Sequence, residues 1–104
     1  MLLAAAALAL QSAPVPDLTD GEQRRIADWS YCAQQRVVSA ARETPRRQID
    51  MVDRALDDCR PQQDALAARL HERLGEEPGD AVVARIRAAL REALAQLLGS
   101  LRRR

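Results

Sequence analysis

Residues 29–59 read WSYCAQQRVVSAARETPRRQIDMVDRALDDC. Trp29, Ala33, Val37 and Ala40 recur at three- and four-residue steps, the period of one helix face. Val52, Leu56 and Cys59 continue the same spacing after Ile49. Between the two runs stands Thr44-Pro45. Thr is a good N-cap, and Pro at the first helical position loses only an amide that would be unpaired anyway. The segment therefore predicts two antiparallel helices about a tight turn.

The cysteines test that register. In an antiparallel hairpin, facing residues lie equally far from the turn. The midpoint of Cys32 and Cys59 falls between Pro45 and Arg46, where Thr44-Pro45 independently puts the turn. The two sulfurs are thus expected at one height, as a Cys32–Cys59 disulfide requires. Closing a loop of roughly 28 residues contributes about 3.5 kcal/mol in the chain-entropy model. A short chain with an Ala-rich core needs such a staple. The pair lacks the Cys-x-x-Cys spacing of redox dithiols, and two cysteines within helices on a buried face predict an inert bond.

Working outward, the second helix is expected over 45–74, through Gln63, Leu66 and Leu70. Pro61 lies inside it and removes the bond to the Asp57 carbonyl, so a kink is predicted there in preference to a break. Gly75 reads as a left-handed C-cap and 76–79 as a loop. A third helix over 81–98, capped by Asp80, carries Val83, Ile86, Leu90, Leu94, Leu97 and Leu101 as its apolar positions. Gly99 is expected to stop it, leaving a basic tail at 100–104. Upstream, Thr19 and Glu22 fit a capping box that opens a first helix over 20–42. The predicted fold is all-α: a small antiparallel three-helix bundle, one domain over 14–104, its helical hairpin stapled by one disulfide.

The first residues read differently. Met1 to Leu10 form an uncharged apolar run followed by Gln11-Ser12-Ala13-Pro14. This has the form of a secretory signal peptide over 1–13 and is too short to span a bilayer, which takes roughly 20 apolar residues. Together with the cysteine pair it predicts an exported, periplasmic chain. Arg used to the exclusion of Lys, with abundant Ala, fits a GC-rich bacterial source.

Composition excludes much chemistry. There is no Phe and no Lys, and one each of Trp, Tyr and His, so aromatic cages and histidine clusters are out of reach. His71 lacks the second histidine four residues on that a zinc-binding His-Glu-x-x-His helix needs, because Gly75 stands there. It reads instead as a base near a helix C-terminus. Asp50, Asp53, Asp57, Asp58 and Asp64 form an acidic stripe with Arg46, Arg54 and Arg60 at ion-pair spacing, a solvated face and not a catalytic pair. No nucleophile elbow and no Gly-x-Gly loop is present. No enzyme, no cofactor and no metal site is expected.

Charge is nearly balanced at +1, but the C-terminal helix is biased. From Asp80 onward Arg85, Arg87, Arg91, Arg102, Arg103 and Arg104 face only Asp80 and Glu92. These arginines are the candidate surface for an anionic membrane or an acidic partner. Nucleic-acid binding is not expected without stacking aromatics. The first expectation is a non-enzymatic interaction module with a protein partner in the envelope. The alternatives are an envelope-surface protein using the basic helix and a weak metal or small-ligand binder; monomer and homodimer stay open.

Overall fold

A computed structural model describes residues 17–43 and 48–103. The expected signal peptide, the Thr44-Pro45 turn, the side chain of Ile49 and Arg104 lie outside the described residues. Among those described the chain is all-helical, with four helices: α1 Asp20–Glu43, α2 Gln48–Asp58, α3 Arg60–Leu74 and α4 Glu76–Arg102.

The α1 helix begins as its capping box dictates. The Thr19 N–H donates to Glu22 Oε1 and the Glu22 N–H to Thr19 Oγ1, both at 3.1 Å. Trp29, Ala33 and Val37 are fully buried, with Ile26 and Ala40 half-buried beside them.

Where a kinked second helix was expected, there are two helices separated at Cys59, so the count is four and not three. Pro61 supplies the reason. Its ring and missing N–H are costly inside a helix and harmless in a first turn, and here it is the second residue of α3. Cys59 leaves the helical path at φ −101° and ψ 27°, and its N–H falls back to the Leu56 carbonyl at 3.2 Å. Its own carbonyl then accepts from the Gln62 and Gln63 amides. Because the interruption is one residue long, the apolar phase survives it: Leu56, Cys59, Leu66 and Leu70 are all fully buried. Both α2 and α3 pack against α1 and against α4.

The last helix is longer than expected at both ends. Gly75 does turn left-handed at φ 96°, its N–H capping the His71 carbonyl at 2.9 Å. The next residue already belongs to α4, so 76–79 is a first helical turn and not a loop. Acidic Glu76 and Glu77 suit the positive end of the dipole, and Pro78 in a first turn forfeits only an orphan amide. At the other end Gly99 does not stop the helix, and the expected tail is helical through Arg102. One glycine costs about 1 kcal/mol, against which the turn beyond it part-buries Leu101 and brings Arg102 to the Met51 sulfur. Burial on α4 centres on Val82, Val83, Ile86, Leu94 and Leu98, while the expected Leu90, Leu97 and Leu101 are half-buried.

Gly79 sets how closely α3 and α4 meet. A Cβ there would lie 2.8 Å from His71 Cδ2 and 3.1 Å from both the His71 amide nitrogen and the Leu70 carbonyl carbon. The imidazole can rotate away, but the backbone atoms cannot. Gly79→Ala therefore loses stability by about 1 kcal/mol, overpacking outweighing the better helix propensity of alanine. Urea denaturation checks the sign; a more stable variant would show that the helix pair is loosely packed.

Candidate functional site

The two cysteines form the expected disulfide, with Cα atoms 6.0 Å apart. Its setting differs from two cysteines within helices. Cys32 is on α1 and half-buried, whereas Cys59 is fully buried at the junction that opens α3. The bond thus ties α1 to the α2–α3 junction. Trp29, the single tryptophan, precedes Cys32 by three residues on the same face and is fully buried. Its Nε1–H has no hydrogen-bond partner among the described residues. Disulfides quench a neighbouring indole. Reduction is therefore expected to raise Trp29 emission while far-UV helicity persists; an unchanged yield with both thiols freed would separate the indole from the bond.

The six arginines singled out in the sequence do not form one surface. Arg91 clasps Asp53 of α2 with two bonds, at 2.9 and 3.2 Å. Arg87 donates to Asp57 and to Gln63, each at 2.9 Å. The acidic stripe of α2 is thus answered chiefly from α4, in addition to the Arg60–Asp57 pair at 3.5 Å on the near helix. Such exposed pairs contribute well under about 1 kcal/mol each; their effect is to fix the register of α4 on α2. Arg102 reaches the Met51 sulfur at 3.2 Å. Arg85 and Arg103 are exposed, and Arg104 lies outside the described residues.

Two polar pairs carried no sequence signal. Glu22, at 2% exposure, receives Arg73 through Nε at 2.6 Å and Nη2 at 2.7 Å. Arg73 also donates to the Asp17 carbonyl at 3.2 Å, so one guanidinium binds the start of α1 to the end of α3. The Arg73 hydrogen bonds hold the Glu22 carboxyl below its ordinary pKa, against the opposing effect of burial. The second pair is His71 Nε2 with Asp80 Oδ1, 2.6 Å apart across the α3–α4 turn. His71 is thus beside the helix end, as expected, but engaged by Asp80 of the neighbouring helix.

Between α1 and α3 an open groove of about 610 Å³ is lined by Arg25, Asp28, Tyr31, Cys32, Pro61, Gln62 and Ala65. Tyr31 is 66% exposed, the one large hydrophobic side chain left on the surface among the described residues. Sequence reasoning misses it because it lies off the buried face, and because its opposite wall, Pro61, reads as the interior of a continuous helix.

No group of three or more His, Cys, Asp or Glu side chains able to hold a metal occurs among the described residues. Nor is any described helix long and apolar enough to cross a membrane. No protein-family model, curated protein or solved structure matches this chain.

Proposed function

We propose that this chain is an exported, periplasmic interaction module, not an enzyme, that engages a protein partner of the envelope through the α1–α3 face around Tyr31. The observation that carries this reading is the exposed aromatic at the edge of a groove. Tyr and Arg are enriched where interfaces concentrate their binding energy, and Tyr offers a large rigid surface at small entropic cost. Architecture is compatible with the assignment: taking α2 and α3 as one interrupted arm keeps the expected antiparallel three-arm bundle, with the disulfide tying α1 to that arm. The disulfide fits an oxidising compartment.

The envelope-surface reading rests on the arginines of α4 and is weakened by their pairing. Arg87 and Arg91 are held by Asp57 and Asp53, which neutralises two of the six arginines that reading needs. A photoreactive amino acid at position 31, and another at 85, separates the two. Cross-linking to one polypeptide from position 31 is expected, with Tyr31→Ala weakening that partner ~10-fold or more and Arg103→Ala leaving it unchanged. Sedimentation with anionic vesicles that is abolished by Arg102→Ala/Arg103→Ala, with no cross-link from position 31, overturns the reading in favour of the membrane surface.

A further inference from the structure

The surroundings of the disulfide are asymmetric. Cys32 is half-buried and belongs to the wall of the α1–α3 groove, whereas Cys59 is fully buried behind it. A thiolate entering from solvent through the groove therefore meets the Cys32 sulfur first. The groove carries Arg25 and Asp28, one charge of each sign, so entry is governed by access and not by net charge. Cys59, in turn, immediately precedes the 15-residue α3. The positive end of the α3 dipole favours negative charge at that position, against the opposing effect of burial.

We propose that Cys32 is a thiolation site: a low-molecular-mass thiol enters the groove beside Tyr31 and Pro61 and exchanges onto Cys32, with Cys59 departing as a thiolate. The step needs no external oxidant. The incoming thiolate forms a new S–S bond to Cys32, the Cys32–Cys59 bond breaks, and its electron pair passes to the Cys59 sulfur. Attack on the more accessible sulfur is the favoured direction of such exchange. The inference goes beyond partner binding and stands without it, since it needs only the groove and the bond. Its consequence is release: once exchanged, α1 is no longer tethered to the α2–α3 junction, and the tether re-forms when Cys59 attacks the mixed disulfide.

The test treats the oxidised protein with reduced glutathione near neutral pH without denaturant. Early samples are quenched in acid, free thiols are blocked with N-ethylmaleimide, and the peptides are mapped by mass. Glutathione is expected on Cys32 and the maleimide on Cys59, by ~10 to 1 or more over the reverse, before helicity changes. Ala65→Leu, which narrows the groove, is expected to slow adduct formation ~5-fold or more without lowering the melting temperature. Adducts spread equally over both cysteines, or formed only in denaturant, overturn the proposal. So does an unchanged rate in a folded Ala65→Leu protein.

Discussion

Cys32→Ala/Cys59→Ala unfolds at a free energy about 3.5 kcal/mol lower than the oxidised chain, and at a melting temperature lower by roughly 15 °C. The bond spans a sequence separation of 27, so it removes a large set of unfolded conformations. Little else compensates. Among the described residues the fully buried large side chains are Trp29, Leu56, Leu66, Leu70 and Leu98, with Met51, Ile86, Leu94, valines and alanines packed around them. Urea denaturation of the variant and the oxidised protein gives the difference directly. A loss below about 1 kcal/mol would mean that the reduced unfolded chain already holds α1 near the α2–α3 junction.

Glu22→Gln loses about 2 kcal/mol at neutral pH, in the range for hydrogen bonds to charged groups. The amide keeps the oxygen that accepts from Thr19 and from Arg73 Nη2, so the capping box stays, but its NH2 replaces the oxygen that accepts from Arg73 Nε, and that bond is lost with the charge. Arg73 is one-third exposed and regains water when its partner is neutral, which tempers the loss. The pH dependence follows from the direction of the shift. The carboxyl has a lower pKa folded than unfolded. Its stabilisation is complete above the unfolded value, about 4.3, and is lost as pH falls from there through the folded value. Arg73 stays charged throughout. The gap between the unsubstituted protein and the Glu22→Gln variant therefore closes below about pH 4, which paired urea titrations read directly. A gap that persists in acid would place the stabilisation in packing and not in the charge.

What the sequence discloses here is what local spacing can encode. The capping box at Thr19 and Glu22, the Gly75 cap and the buried faces around Trp29 and Leu66 depend on neighbours within a turn or two. The disulfide was legible for a related reason: a hairpin about Thr44-Pro45 converts sequence distance into height, and Cys32 and Cys59 match. The interruption at Cys59 was not, because Pro61 can be accommodated by bending or by restarting the helix, and the apolar phase is the same either way. Glu76 to Gly79 has the composition of a loop, yet acidic residues and proline are equally at home in a first turn.

The site was less legible than the fold. Arg87 and Arg91 looked like a free basic face because their partners, Asp57 and Asp53, stand on another helix, 30 and 38 residues away. Arg73 and Glu22 are 51 apart. Such pairs leave no periodic trace; they exist only once the helices are docked. Tyr31 follows the same logic, since its exposure matters only when Pro61 is known to form the opposite wall. The expectation of a non-enzymatic chain rests, by contrast, on residue types alone: one histidine and no nucleophile motif.

The central claim is that the chain is exported and stapled by Cys32–Cys59, and intact mass after expression in a bacterial host with the native N-terminus tests it most directly. The protein is alkylated with and without prior reduction. The account predicts a mass lacking about 9 to 13 N-terminal residues, with two alkyl groups added only after reduction. A full-length mass with both thiols alkylated at once would contradict it, returning the chain to a reducing compartment and leaving α1 untethered.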